Sequence, residues 1–356
     1  MKTLIAAFSF LSALPLLAYN LTTDDTSVSW AGAGLPYSGS DVLISGPADR
    51  ALSNSWVYLD ADLSMDGKTL KVNQGAAFKA EGNYALTVGN LILSNANDSR
   101  QGTASMLFKG DSASDRLVLN IKNTGTTGSI GCDTNQNSTL FELAGNVTLN
   151  AVNESTTFGL GYVSGLRADV LMRVCGQNNV VVLNSLGIGA VDATGTANLQ
   201  IEGSTHSVTA SNAFRFRGAL GTGVDGVKGG SITFKADSGG VSSLNIGDLK
   251  GSDKVEISGV IFLDLADFVF TSATEDFHLI STSNAYALSA IESWVAAVEG
   301  GAGLFAVTGG PANSEWSLRA DSDGLWATVA AIPEPGACAA AFGLLSLATA
   351  ACRRRK

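Results

Sequence analysis

Charge is scarce in this chain of 356 residues, with 22 basic and 32 acidic side chains and a formal net charge of −10. So acidic a balance excludes a nucleic-acid partner, which would need a basic face to neutralise phosphates. Proline is also rare, at 6 residues, while hydrophobic residues make up 45%, which excludes intrinsic disorder. The two histidines, His206 and His278, are too few for a His-rich zinc site and lie in no His-Glu-x-x-His pattern, so each reads as an ordinary strand residue. No Gly-x-Ser-x-Gly nucleophile elbow occurs, and neither a cofactor nor a metal site is expected.

Cysteine is limited to four residues. In an oxidising compartment Cys132 and Cys175 are allowed to form one disulfide if neighbouring coils bring them together, and two buried free thiols are the equal alternative. Cys338 and Cys352 read as small apolar residues of a helix rather than sites of lipid attachment.

What the chain has in quantity is glycine, 41 residues, with Asn, Ser and Thr between short apolar runs. From about Asp24 to Asp267 these runs alternate with period two or are wholly apolar, separated by Gly, Asn, Asp and Ser clusters, which is a strand-and-turn signature. A degenerate repeat of strand, Gly-containing turn, strand and closing Asn places those asparagines at Asn120, Asn150, Asn184, Asn212 and Asn245. Units of that length cannot bury their own apolar face and must stack, so the expected architecture is all-β, a right-handed parallel β-solenoid. An antiparallel β-sandwich is the alternative. Stacked asparagines at the coil corners would satisfy turn backbone groups.

After Phe270 the texture changes. Asn284 is placed to cap a helix carrying Leu288, Ile291, Trp294, Val295 and Val298, with Gly300-Gly301 past its end, and Asp321-Ser322-Asp323-Gly324 marks a hairpin. The expected organisation is therefore a signal peptide at 1–18, solenoid repeats at 19–267, a small β-rich cap with one helix at 268–331, and a tail at 332–356.

Both ends carry targeting features. Lys2 precedes the apolar run from Leu4 to Ala18, a secretory signal with cleavage expected after Ala18. At the other end, Pro333-Glu334-Pro335 precedes a predominantly apolar stretch, Ala337 to Cys352, and then Arg353, Arg354, Arg355 and Lys356. That stretch makes about 24 Å of helix, just short of a hydrocarbon core, with its cations placed among anionic headgroups on the cytoplasmic side, so a single C-terminal transmembrane helix is expected. Setting aside Lys2, Glu334 and the four terminal cations leaves 17 basic and 31 acidic residues, a net −14 that repels anionic membranes.

This three-part tail resembles the PEP-CTERM sorting signal of Gram-negative bacteria that make extracellular polysaccharide. The resemblance is confined to the tail. It implies that Pro333, Glu334 and Pro335 are read by an exosortase, a membrane-embedded cysteine transpeptidase-like enzyme. After export through the Sec translocon, that enzyme would remove the anchor from the inner membrane and pass the protein to the cell surface or matrix. The expected role is structural or adhesive, in contact with extracellular polysaccharide, and the chain is not expected to be an enzyme. An autotransporter passenger is disfavoured because no C-terminal run of alternating membrane strands follows.

Three further motifs bear on chemistry. Asp62-x-Ser64-x-Asp66-Gly67 matches half a calcium loop, but Asn73 stands where a bidentate Glu is required, and a hairpin turn at Asp66-Gly67 is the preferred reading. Gly221-Thr222-Gly223-Val224-Asp225-Gly226 fits a dinucleotide fingerprint without a βαβ unit around it, and so reads as a loop. The alternative function is a polysaccharide lyase or glycoside hydrolase, for which Asp264 with Asp267, or Glu142, would supply paired carboxylates, beside Arg215 and Arg217.

Overall fold

A computed structural model describes residues 19–22, 28–45, 56–73, 75–93, 103–122, 129–130, 138–153, 157–162, 167, 169–219, 223–247, 249, 251–311 and 314–331. Its first strands are β1 (Tyr19–Thr22), β2 (Val28–Ser29), β3 (Val42–Ser45), β4 (Trp56–Leu59), β5 (Leu63–Val72), β6 (Ala77–Glu81), β7 (Ala85–Leu93) and β8 (Ala104–Lys109). Then follow β9 (Leu117–Ile121), β10 (Ser129–Ile130), β11 (Thr139–Leu143), β12 (Val147–Ala151), β13 (Thr157–Leu160), β14 (Val170–Val174), β15 (Val180–Ile188), β16 (Thr196–Glu202) and β17 (Ser207–Phe216). The last elements are β18 (Gly229–Lys235), β19 (Leu244–Ile246), β20 (Val255–Ile257), β21 (Val260–Asp264), β22 (Thr274–Ser281), α1 (Ala285–Glu299), β23 (Phe305–Thr308), β24 (Glu315–Asp321) and β25 (Gly324–Ala330).

The chain passes back and forth between two sheets and advances one place in each on every pass. The smaller sheet runs β2-β4-β6-β8-β11-β14-β16-β18-β21-β23, and the larger runs from β1 through β3, β5 and β7 to β22, β25 and β24. Strand-to-strand pairings among β1 to β23 are parallel. The antiparallel ones are β22 with β25 and β24 with β25, so the sandwich alternative does not describe this chain. The arrangement is compatible with a β-solenoid. Within the larger sheet the long strands are bent: β7 pairs with β9 through its first half and with β10 through its second, and β17 does the same with β19 and β20.

Period-two alternation sends one set of side chains inward, and parallel register stacks like on like. One inward column of the smaller sheet reads Val57, Phe78, Met106, Phe141, Met172, Leu199, Ile232, Ile261 and Phe305. Rings continue the stacking from coil to coil: centroid distances are 5.8 Å for Trp30 to Phe78, 6.0 Å for Phe78 to Phe108, 5.3 Å for Phe108 to Phe141 and 6.1 Å for Phe141 to Phe158.

A second inward column turns polar. Just ahead of the paired stretches of β12, β15, β17 and β19, Val147 is followed by Asn179, which is fully buried, and then by His206 and Ser242, each linked to the next by a hydrogen bond. Asn179 Nδ2 donates to the carbonyls of Leu143 (3.2 Å) and Cys175 (2.6 Å), and its Oδ1 accepts from the Val147 amide (3.1 Å). His206 Nδ1 lies 3.3 Å from the Asn179 amide as acceptor, and Nε2 is 2.6 Å from the Glu202 carbonyl. Burial pulls the imidazole below its ordinary pKa. These groups tie turn backbone across coils at a corner where Gly176 takes φ +73, a position at which a Cβ would meet the Ala144 carbonyl oxygen at 2.5 Å.

The asparagines of the sequence repeat play a different part. Asn120 and Asn150 do stack, with Asn150 Nδ2 donating to Asn120 Oδ1 at 3.0 Å, but they point outward from the larger sheet in a column that continues through Val182, Thr209 and Asn245. Asn184 stands at a register shift between Leu183 and Ser185, and Asn212 faces that same break. A second correction concerns Asp66-Gly67, which makes no hairpin. Gly67, at φ +70, lies in a register shift inside β5, between flanks that both pair in parallel with β7, so it bends a strand that continues in the same direction.

Helix α1 forms where its cap and period place it. Asn284 Oδ1 accepts from the amides of Tyr286 and Ala287, Gly300 ends it, and Ala287, Ile291, Trp294, Val295 and Val298 are buried, with Ala287 taking the place expected for Leu288. Parallel pairing continues past residue 267, since β22 pairs with β19 and β23 with β21, and the β24–β25 hairpin then turns at Asp321 and Gly324. Among the described residues no helix is long and apolar enough to cross a membrane; the expected C-terminal span lies outside them.

Candidate functional site

The outward face of the smaller sheet gathers most of the chemistry. Two clusters sit on it, one near its start and one further along.

In β4, Trp56 and Tyr58 alternate with the buried Val57 and Leu59 and so project outward, followed by Asp60; in β6, Lys79 and Glu81 do the same. Tyr58 is paired in register with Lys79. Together with Tyr84 these side chains line an open groove of about 410 Å³. Tyr58 is 42% exposed, while Trp56 and Tyr84 are half-buried. The Asp60 carboxylate accepts from the Tyr37 hydroxyl and, at 3.3 Å, from the Ala31 amide. The Tyr37 bond holds Asp60 below the usual carboxylate range and raises the Tyr37 phenol. Lys79 Nζ lies 3.0 Å from Glu81 and 5.9 Å from the Trp56 ring centre.

Further along, Arg173 is flanked by carboxylates of neighbouring coils. Its Nε and Nη2 both donate to Glu202, the second at 3.0 Å, and Nη1 is 3.8 Å from Glu142. The bidentate bond to Glu202 raises the guanidinium pKa further. Lys235 Nζ meets Asp267 at 2.9 Å, which raises the lysine in turn. Glu202, Lys235, Asp237 and Asp267 border a shallow recess of about 190 Å³ beside Gly176 and Gly203.

These positions decide how the expected site residues stand. Asp267 is paired with Lys235, Glu142 lies 3.8 Å from the guanidinium that Glu202 already holds, and Asp264 ends β21 in register with Lys235. Arg217 pairs with Glu256 at 2.7 Å and lies 5.1 Å from the Tyr162 ring centre, while Arg215 donates to the Asp253 carbonyl. Asp62 accepts from the Ala85 amide at 2.9 Å and Asp66 pairs with Lys122 at 2.9 Å, so the half calcium loop is committed to other partners. Gly223 and Gly226 form a turn joined to Gly303, and residues 220–222 lie outside the described ones. Among the described residues no group of three or more His, Cys, Asp or Glu is placed to hold a metal ion. His278 stacks on Trp326 with ring centres 4.0 Å apart.

Cys175 carries a free thiol 3.5 Å from Glu142 Oε1, and burial together with that carboxylate pushes its pKa up to about 12. Cys132, the other member of the possible disulfide, lies outside the described residues, as do Cys338, Cys352, Ala18, Pro333, Glu334, Pro335, Arg353, Arg354, Arg355 and Lys356. The aromatic groove was missed from sequence. The signal for it was the alternation Trp56-x-Tyr58-x-Asp60 followed by Lys79-x-Glu81, which puts five groups on one face once the two strands are adjacent. No protein-family model, no characterised protein and no solved structure matches this chain.

Proposed function

We propose that this chain is an exported surface protein of a Gram-negative bacterium. It would be held as a precursor in the inner membrane, released from its anchor by an exosortase, and resident at the outer surface or in an exopolysaccharide matrix in a structural or adhesive role. The observation that carries the proposal is the tail: Pro333-Glu334-Pro335, then an apolar stretch, then Arg353-Arg354-Arg355-Lys356, in a chain whose other end reads as a secretory signal. On this reading the two sheets wind as a right-handed β-solenoid, the hand taken by about 98% of parallel crossovers.

The form of the described residues supports an adhesive part. The mostly polar outward column Thr87, Asn120, Asn150, Val182, Thr209 and Asn245 repeats at the strand spacing of about 4.8 Å, so weak contacts to a polymer add up along the face. The lyase or hydrolase alternative draws less support, because Glu142, Glu202 and Asp267 are held in ion pairs. Fractionation of producing cells tests the proposal: the protein is expected with the outer surface or matrix and is released when the matrix glycan is digested. Retention of the mature protein in the inner membrane would overturn it.

A further inference from the structure

We propose that the groove between Trp56, Tyr58, Asp60, Lys79, Glu81 and Tyr84 is a binding site for a neutral, hydroxyl-rich glycan. The inference deepens the matrix reading and rests on it for the source of the glycan.

The groove combines two kinds of surface that a pyranose needs. A sugar ring has a flat C–H face whose hydrogens are weakly positive, and the negative π-face of an aromatic ring is its complement. Tyr58 is 42% exposed in the groove, with the half-buried Trp56 and Tyr84 beside it, so aromatic surface is open to solvent there. The rim of a sugar carries hydroxyls that both donate and accept. Asp60 and Glu81 supply acceptors, and the Lys79 ammonium supplies donors. The volume of about 410 Å³ falls among small-ligand clefts, which run from about 300 to 1,000 Å³.

Asp60 and the Tyr84 ring are held in place before any ligand arrives. Asp60 is oriented by the Tyr37 hydroxyl and the Ala31 amide, and the Tyr37 bond lowers its pKa. The Tyr84 ring lies against Gly82, where a Cβ would come within 3.1 Å of it on a backbone at φ +121, so the ring rests where a side chain would otherwise stand. Such preorganisation reduces the entropy lost on binding.

The chemistry also selects the class of glycan. Two carboxylates face one ammonium in the groove, in a chain of net charge −10, so an anionic uronate polymer is repelled. A peptide adding a strand is disfavoured, because β4 and β6 form the floor and each is already paired on both sides, β4 with β2 and β6, β6 with β4 and β8.

The test is calorimetric titration of the full chain with maltohexaose, cellohexaose and laminarihexaose as neutral probes, and trigalacturonate as the anionic one. At least one neutral hexaose is expected to bind, with an affinity that changes little with salt. Tyr58→Ala and Trp56→Ala are each expected to weaken it roughly tenfold or more, with an unchanged circular dichroism spectrum. Because Tyr58 is exposed, its variant keeps the test open if Trp56→Ala does not fold. Absence of binding by every neutral hexaose, binding indifferent to Tyr58→Ala, or tighter salt-dependent binding of trigalacturonate would each overturn the inference. If the hexaoses fail while the wild-type protein still partitions to the matrix, the groove inference falls and the matrix reading stands. Hexaose binding by a protein absent from the matrix would leave the groove and remove the matrix reading.

Discussion

Replacing Asn179 by alanine is expected to be among the most damaging single changes outside the aromatic core. The side chain is fully buried and bonds three backbone groups, the Leu143 and Cys175 carbonyls at 3.2 and 2.6 Å and the Val147 amide at 3.1 Å, of which the Leu143 carbonyl also accepts from the Cys175 amide at 2.9 Å. The Cys175 carbonyl and the Val147 amide, left without this partner, cost about 1–3 kcal/mol each, and relaxation recovers part of the sum, so the expected loss is about 2–4 kcal/mol. Asn150→Ala is the control. Its side chain bonds to Asn120 at 3.0 Å on the half-exposed outer face, where water replaces the lost partner, and about 0.5–1 kcal/mol is expected. Urea denaturation followed by circular dichroism gives both values from the shift in midpoint at unchanged slope. A loss below about 1 kcal/mol for Asn179→Ala, or an equal loss for Asn150→Ala, would refute the claim that the inward polar column, rather than the outer asparagines, secures the coil corners.

Other outcomes follow from the same geometry. His206 is neutral in the fold and its pKa is lowered, so the unfolded chain takes up a proton first on acidification. Stability is therefore full above the ordinary histidine pKa of about 6.5 and falls below it, by at most about 1.4 kcal/mol per pH unit, until the lowered folded pKa is reached. His206→Gln removes that component from a pH series of denaturation midpoints. Phe108→Ala interrupts the ring stack between Phe78 and Phe141 and is expected to cost about 3–5 kcal/mol in the same assay. Arg173→Lys does not restore what Arg173→Ala loses, because an ammonium cannot bridge both oxygens of Glu202 while staying near Glu142. With its thiol pushed up to about 12, Cys175 should resist iodoacetamide at pH 8 in the folded protein and react once denatured, as read by mass.

The strands and α1 were legible because their signals are local. The apolar run Leu117-Val118-Leu119-Asn120, bounded by polar turn residues, gives β9, and Asn284 with its three-and-four apolar spacing gives the helix. Register between coils was not legible, because the advance along one inward column is uneven, from Val57 to Phe78, then Met106, then Phe141. A repeat aligned on asparagines therefore joined residues from different places, the strand face at Asn120 and Asn150 and the bend at Asn184. His206 read as an ordinary strand residue, and Asn179 and Ser242 carried no signal, because polar side chains usually face solvent; their inward position emerges only once neighbouring strands place them beside Val147. Asp66-Gly67 carried a hairpin signal that a parallel neighbour overrode, since β7 pairs on both sides of it. The groove needed two strands to be known as neighbours before Tyr58 and Lys79 could be seen to meet.

The most direct measurement is the intact mass of the protein recovered from the surface of producing cells, beside the same protein carrying Glu334→Ala and Pro335→Ala. The account predicts a wild-type mass that lacks the residues following Pro333-Glu334-Pro335, and a variant that keeps them and remains in the inner membrane. A mature wild-type protein that still ends at Lys356 would contradict it.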